Sequence, residues 1–513
     1  MAEEIELKLT VAPDRASQVR RLGILRQLAE KRGSTRQFST VYFDTPDQAL
    51  SKRGIALRIR NVGRRRIQTI KLPAEGPGGL QIQRELETPV AGDRPDLGKI
   101  ADPRLRHLFA DTAVADGLAP MFATEFRRTA WPLRYDGSLI ELAFDQGEIR
   151  AGSERTPLLE IELELKEGRP EHIFDLALAV HEALPVTIGG ETKAARGYAL
   201  LAGAEPRPVK ATPSGLVLSM SARDAFVLAA RNCLSQMRGN EAAARLGEDP
   251  EGIHQLRVGL RRLRALVGAY RHTVAPAAHE LFSRELRWLQ QELNPARDWD
   301  VFIGATLKPI VERMPGLEAA MGAAKELRGL AQARAQAVLA SPRYTAFLLR
   351  CYQWLAAGGW ASADAAILDR SVGEFAAAIL QHRHRRLTKF GGKRAALPES
   401  DLHRLRLLAK KQRYVADFFR ELYPRRATAK YIAALAAIQD VLGSLNDALV
   451  SRHLVEELER FLADAPSVGP ASASRSAGVI LGWQGARIAE DLRRVPGVWK
   501  DYRERKTFWL RPA

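Results

Sequence analysis

Glu4-Ile5-Glu6-Leu7-Lys8-Leu9 alternates charged and apolar residues over six positions near the start of the chain. In an extended strand, a period of two puts Glu4, Glu6 and Lys8 on one face and Ile5, Leu7 and Leu9 on the other. Such a strand has two possible settings. Its charged face stands in water, the ordinary case, or it lines a closed polar cavity that binds metal and phosphate. The stretch by itself leaves both open.

Seven further strand-like stretches follow, at 38–44, 55–61, 65–72, 80–88, 122–135, 139–149 and 158–166. Turn residues such as Gly63, Gly78-Gly79, Asp136-Gly137 and Gly152 separate several of them. Helices are expected at 14–32, 96–109, 170–183 and 192–201. Eight mostly antiparallel strands are enough to close a barrel.

Charge recurs at strand spacing through this part. Arg58 and Arg60 share a face, as do Thr69 and Lys71, Glu85 and Glu87, and Glu160, Glu162 and Glu164; Asp145 follows an apolar run. A solvated face usually mixes Lys, Gln, Ser and Thr, whereas here one face is dense in Glu and another in Arg and Lys. Converging carboxylates cost several kcal/mol per ion to bury unless compensated. Divalent cations offset that repulsion, and Arg and Lys hold phosphate oxygens. Mg²⁺ or Mn²⁺ prefers oxygen ligands and bridges carboxylates to substrate phosphates. This is equipment for hydrolysing a phosphoanhydride.

The opening Glu4-x-Glu6-x-Lys8 resembles the signature of the CYTH domain, the triphosphate tunnel metalloenzymes. Further matches, in order, are Tyr42-Phe43-Asp44-Thr45, Arg58-x-Arg60, Lys71, Arg84-x-x-Glu87, Phe126-Arg127-Arg128, Asp145-x-Gly147, Glu160-x-Glu162-x-Glu164 and Thr192-Lys193-Ala194-Ala195-Arg196-Gly197-Tyr198. The resemblance implies an eight-stranded antiparallel β-barrel forming a tunnel. It implies hydrolysis of inorganic triphosphate, thiamine triphosphate or nucleoside triphosphates, or cyclisation of ATP. It also implies metal ligation by Glu4, Glu6, Asp145, Glu160, Glu162 and Glu164, with Mg²⁺ or Mn²⁺ as the cofactor. Phosphate contacts are implied for Lys8, Arg58, Arg60, Lys71, Arg127, Lys193 and Arg196, and a catalytic group of Glu4, Glu6, Lys8 and Lys71. Glu160 and Arg127 keep a plain alternative, an ion pair within the protein.

The 513 residues carry a net charge of +18, of which +1 falls in 1–203 and +17 in 204–513. A basic surface of that size implies a polyanionic partner. Two cysteines, Cys233 and Cys351, make no disulfide framework and point to a reducing, cytoplasmic setting. The N-terminus turns charged at once, unlike a signal peptide. No apolar run of about 18 residues predicts a membrane span.

Pro206, Pro208 and Pro213 mark a linker, expected at 203–218 between a tunnel domain at 1–202 and a helical domain at 219–513. One loop is expected at 465–478, which is rich in Ser, Ala, Gly and Pro. The helical part repeats itself. His254-x-x-Arg257-x-x-x-Arg261-Arg262-x-Arg264 recurs as His403-x-x-Arg406-x-x-x-Lys410-Lys411-x-Arg413, 149 residues on. The same offset takes Leu286, Gln290 and Leu293 to Leu435, Gln439 and Leu442. Two four-helix bundles, at about 219–365 and 366–513, are expected around an approximate two-fold axis. At about 100° per residue, His254, Arg257, Arg261 and Arg264 form one stripe, with Leu256, Leu260, Leu263 and Val267 opposite. One such stripe is usually a solvated face. Two on matching helices can lie side by side, and like charges so crowded hint at a bound polyanion.

These motifs, with Ala296-Arg297-Asp298-x-Asp300-Val301 and Leu445-Asn446-Asp447, are similar to the CHAD domain. That resemblance implies inorganic polyphosphate bound in a basic cavity or channel, by His254, Arg257, Arg261, Arg262, Arg264, His403, Arg406, Lys410, Lys411 and Arg413. The CYTH–CHAD order resembles bacterial inorganic triphosphatases, which makes inorganic triphosphate the expected substrate and polyphosphate granules an expected location. A non-catalytic phosphate-polymer binder is the rival from another class, and clustered Glu argues against it. Nucleic acid is disfavoured, since few aromatics accompany the basic stripes.

Overall fold

The computed structural model describes residues 2–63, 65–72, 80–203, 205–362, 366–392, 399–465 and 468–510; the side chains of 2–4, 81–83, 399–400 and 444–449 lie outside the described set. The chain divides into two units, Met1–Pro206 with Ala340–Gly358 and Arg207–Leu339 with Gly359–Ala513.

Among the described residues, nine strands of the first unit form one antiparallel sheet. They are β1 (Ala2–Thr10), β2 (Ser34–Asp44), β3 (Ala56–Val62), β4 (Arg65–Leu72), β5 (Gln81–Val90), β6 (Ala119–Tyr135), β7 (Ser138–Ala151), β8 (Glu154–Glu167) and β9 (Thr187–Ile188). Their order is β5-β4-β3-β2-β6-β7-β8-β1-β9, and β1 also pairs with β5. All eight expected stretches lie in strands. The ninth strand, two residues long, carries too little pattern to read. Asp136 and Gly137, at φ 42° and 77°, make the tight β6–β7 turn, where two left-handed residues match the strand twist.

Around the sheet lie α1 (Gly23–Leu28), α2 (Pro103–Phe109), α3 (Thr112–Asp116), α4 (Glu171–Ala183) and α5 (Lys193–Ala202). The helix expected at 14–32 is instead a 3₁₀ turn, Pro13–Arg21, followed by α1, with extended Leu22 (ψ 129°) between them. That break lets Val19, Leu22 and Leu25 all reach the core.

Both faces of the key strands are covered, which decides between the two settings left open by β1. On β3, Leu57 and Ile59 pack outward with Phe43, Ile70, Leu105 and Phe109. Arg58 and Arg60 take the other face. On β8, Ile161 and Leu163 are fully buried on one side. On the other side Glu160 and Glu162 are only 3% and 6% exposed, and Glu6 and Lys8 of β1 only 2% and 6%. The charged faces are therefore not solvated.

The second unit is helical: α6 (Ala222–Gly239), α7 (Glu241–Leu246), α8 (Pro250–Ala269), α9 (Pro276–Val301), a π-helical stretch at Phe302–Leu307, α10 (Lys308–Val311) and α11 (Glu318–Leu339). After α12 (Pro342–Ala356), which belongs to the first unit, come α13 (Val372–Gly391), α14 (Glu399–Phe419), α15 (Arg425–Ala463) and α16 (Pro470–Arg503). The starts of α8 and α14, and of α9 and α15, are 149 residues apart, the offset read from the motifs. Ala222 N donates to Arg370 O and Val372 N to Met220 O, both at 2.9 Å, around a bridge from Ser221 to Ser371. Such reciprocal contacts are what an internal two-fold produces.

Helix starts follow their caps: Ser221 and Asp249 accept from the first-turn amides of α6 and α8, and Pro250 sits at the first position of α8. The loop expected at 465–478 is a correction. From Pro470 the chain is helix, because proline is tolerated in a first turn and the Ala-rich sequence that follows favours helix. No helix among the described residues is long and apolar enough to cross a membrane. Cys233 and Cys351 are both buried.

Candidate active site and basic seam

Register builds the first site. Lys8 of β1 lies opposite Glu162 of β8, Asp145 of β7 opposite Glu160, and Arg128 of β6 opposite Asp145. Neighbours at that spacing touch across strands. Lys8 Nζ is 2.9 Å from Glu6 Oε1 and donates to Glu162. Arg128 donates two bonds of 2.7 Å to Asp145 and another to Glu162. Lys193, at the start of α5, reaches Asp145 and Glu162 at 2.8 Å and also bonds Glu160. Asp145, Glu160 and Glu162 bring carboxylate oxygens within 4.8 Å of one another.

Electrostatics in this network run one way. Burial by itself lowers the Lys8 and Arg128 pKa values, yet the carboxylates, Glu162 first, hold both well above their ordinary values. Burial likewise opposes ionisation of Glu162, and Arg128, Lys193 and Lys8 overcome it and keep its carboxyl well below 4.5.

A second wall comes from β3, β4 and β5. Arg58 donates to Glu85 at 3.1 Å, and Lys71 pairs with the same carboxylate. Arg60 lies 5.5 Å over the Phe38 ring, and its buried Nε has no hydrogen-bond partner among the described residues. Burial, then the like charges of Arg58 and Arg128, push Arg60 down to about 10. Between these walls lies a cavity of about 230 Å³, lined by six basic side chains, Lys8, Arg58, Arg60, Lys71, Arg128 and Lys193, against three acidic ones, Glu6, Glu85 and Glu162. The excess positive charge suits a small polyanion.

The sequence-expected residues are mostly, not wholly, brought together. Glu6, Lys8, Arg58, Arg60, Lys71, Glu162 and Lys193 line the cavity, with Asp145 and Glu160 beside them. Arg196 reaches Glu160 at 3.4 Å and Pro157 O at 2.7 Å. The Glu4 side chain lies outside the described residues. Glu164 stands apart from the carboxylate trio and pairs with Lys166. Arg127 is corrected: it points to the other face of β6, exposed, 3.5 Å from Gln146. Arg128 takes the inward place, since it shares strand parity with Thr124 and Phe126. That parity was the available signal. Glu85, Tyr42 and Tyr198 also line the site without having been singled out for it.

In the second unit, α8 and α14 pack directly against each other. Lys410 of α14 is surrounded by Arg406 and by Arg261, Arg257 and Arg264 of α8, and burial followed by these charges pushes it down to about 8. Arg257 donates to Asn294 at 2.7 Å and lies 3.9 Å from Asp298, yet burial, Arg261 and Arg297 bring it to about 10. Arg264 donates to Gln290 at 2.7 Å. The Nε atoms of Arg257, Arg261 and Arg413 are buried without hydrogen-bond partners among the described residues. Burial, then Arg297, Arg261 and Arg257, also lowers His254. The two stripes thus form one seam.

Some candidates stand away from it. Arg262 turns to Gln236 and Asn232, at 2.7 Å each, and lies 5.7 Å over Phe418. Lys411 and His403 are exposed side chains; partial burial of the Lys411 amine, then Arg383 and Arg386, lowers its pKa. The side chains of Asn446 and Asp447 lie outside the described residues.

A family model described as the CYTH domain matches residues 2–198, and one described as the CHAD domain matches residues 228–495. An inorganic triphosphatase from Haemophilus influenzae is 32% identical over 205 residues, 39% of this chain and 55% of that protein. The chain thus spans about half the length of this curated relative. The crystal structure of the CHAD domain from the plant Ricinus communis is similar at 30% identity with a TM-score of 0.50, over 57% of this chain and 96% of that one.

Proposed function

Since the chain belongs to the CHAD domain family and carries a CYTH domain ahead of it, we propose that its first unit hydrolyses inorganic triphosphate to diphosphate and phosphate, and that its helical unit binds inorganic polyphosphate. The cavity of about 230 Å³, with its six cations backed by buried carboxylates, carries the reading. The relative named an inorganic triphosphatase supports it. The return of β1 to β5 supports a closed eight-stranded tunnel with β9 as an addition. Four long helices in each half support two four-helix bundles. We keep the domain limits at 1–202 and 219–513 with the linker at 203–218, the helix α12 excepted, and take the cytoplasm as the location, at polyphosphate granules.

The donor set fits a hard divalent cation such as Mg²⁺ or Mn²⁺. Three carboxylates offer only oxygen, and buried Glu6 Oε1 has an ion pair of 2.9 Å to Lys8 but no hydrogen bond among the described residues. Glu6, Asp145, Glu160 and Glu162 would hold it; Glu4 and Glu164 stay candidates on the sequence motif alone. Such an ion neutralises charge on phosphate oxygens and lowers the pKa of bound water. Arg58, Arg60, Lys71, Arg128, Lys193 and Arg196 hold the triphosphate oxygens; Arg127, on the other face of β6, does not. Arg60, held down by burial and then by Arg58 and Arg128, gains when an anion arrives. Lys8 keeps Glu6 and Glu162 in place beside the substrate. Glu6 accepts the proton of the water that attacks the terminal phosphorus in line with the leaving oxygen. The fixed cations stabilise charge as the bond breaks, without reorganising.

A phosphate-release panel on inorganic triphosphate, ATP and thiamine triphosphate, with Mg²⁺, Mn²⁺ or chelator, tests this. Inorganic triphosphate should be turned over fastest and chelator should abolish release. Equal or faster release from ATP would move the reading to a nucleoside triphosphatase.

A further inference from the structure

Asp44 ends β2, is 0% exposed and makes no ion pair among the described residues. A buried carboxylate survives only if its oxygens are satisfied. Its Oδ1 accepts from Thr45 N and Leu50 N, both at 2.8 Å. Its Oδ2 accepts from Ser51 N at 2.9 Å and from the Tyr198 hydroxyl at 2.8 Å. The first three donors lie in the loop that leads to β3. Ser51, Gly54, Ile55 and Ala56 of that stretch line the cavity. The fourth lies on α5, whose Thr192, Lys193, Ala194 and Ala195 line it too.

α5 is also held by shape. A Cβ on Gly197 would fall 2.1 Å from the Phe122 ring, so the helix lies flush on β6 only because that residue is glycine. Phe122 in turn stacks on Tyr42 at 4.6 Å and meets Tyr198 edge-on at 5.0 Å. Five and two residues before Tyr198 on the same helix, Lys193 and Arg196 reach the carboxylates.

We propose that Asp44 is a positioning residue: through the Tyr198 hydroxyl and the loop amides it fastens α5 and the 45–56 segment into one wall, and so sets where Lys193 and Arg196 meet the triphosphate. This rests on the phosphate-site reading above. Loss of the link lets α5 drift, which weakens anion binding more than it slows chemistry.

Tyr198→Phe in the full chain removes the hydroxyl and keeps the ring on Phe122. With inorganic triphosphate, KM should rise about five-fold to ten-fold while kcat stays within about two-fold. Amides of 193–202 should exchange faster in the substrate-free protein. Asp44→Asn, which does not line the cavity, should raise KM in the same way, as should Gly197→Ala, which lifts the helix. Tyr352→Phe, a buried tyrosine on α12 away from the cavity, should leave KM unchanged whatever it does to melting. An unchanged KM with unchanged exchange in Tyr198→Phe overturns the proposal. So does a KM rise confined to Tyr198→Phe while folded Asp44→Asn and Gly197→Ala behave as wild type, since the hydroxyl then acts alone. A wild-type chain that releases no phosphate overturns the phosphate-site reading instead, and the exchange data then decide the link by themselves.

Discussion

Lys8 and Lys410 are both half of a crowd of charge, and they answer it in opposite directions. Burial lowers both. At Lys8 the carboxylates of Glu162, Glu6 and Glu160 overcome burial and raise the pKa well above 10.5. At Lys410 burial is joined by Arg261, Arg406, Arg257 and Arg264, and the pKa falls to about 8. The cavity of the first unit interleaves acids with bases, so its groups are fixed before a ligand arrives. The helical seam sets bases against bases, and an anion is what relieves it. Fixed, compensated charge suits chemistry, where preorganisation lowers barriers. Charge in excess of its counter-charge suits capture.

Removing a shared acid should break the first half of the contrast most severely. Glu162→Gln strips a charge that Lys8, Arg128 and Lys193 all use. It should cost about 3–5 kcal/mol in denaturant melts and slow triphosphate turnover by at least about 100-fold. A loss below about 1 kcal/mol would mean that the network is not coupled. Lys410→Met tests the other half with the opposite sign. Polyphosphate should bind about ten-fold more weakly, as for a lost buried charge contact. Melting should hold or rise, because a buried like charge has gone, and a clear fall in melting would contradict the account.

Acidity sharpens the same comparison. Glu162 has a depressed folded pKa, so its contribution to stability is present above about 4.5 and is lost as pH falls toward the folded value. Lys410 has a lowered folded pKa, so between about 8 and 10.5 the unfolded chain binds more protons and the helical unit gains stability as pH rises. Over that window polyphosphate affinity should fall, since the bound anion favours the protonated ammonium. Titration calorimetry at pH 7 and pH 9 reads the sign. The smallest effect is expected at Arg262, whose guanidinium is already used by Gln236 and Asn232. Arg262→Met should lower melting and leave polyphosphate affinity within about two-fold.

Much of this was legible because β-strands and helices write their faces into the sequence at fixed periods. Glu6 with Lys8, Arg58 with Arg60, and Glu160 with Glu162 were paired by spacing alone, and all six lie at or beside the cavity. The 149-residue offset likewise brought two stripes to matching helices. What the period could not supply was phase where two like residues adjoin. Arg127 and Arg128 are indistinguishable until parity is traced back through Phe126. Nor could composition tell the helical start at Pro470 from a loop, since Ala and Ser serve both. Arg262 belongs to the same run as Arg261 yet points elsewhere, because consecutive helix positions differ by about 100°. Asp44 stands in the Tyr42-Phe43-Asp44-Thr45 motif, but its role needs a tyrosine more than 150 residues away, and no local pattern records that.

The most direct test is turnover of inorganic triphosphate by Glu6→Gln, a change that keeps the shape of a cavity-lining side chain and removes its charge. Phosphate release should fall at least about 100-fold with melting and circular dichroism close to wild type, as for loss of a group that acts in the transition state. Near-normal release from a folded Glu6→Gln chain would contradict the assignment of this cavity to triphosphate hydrolysis.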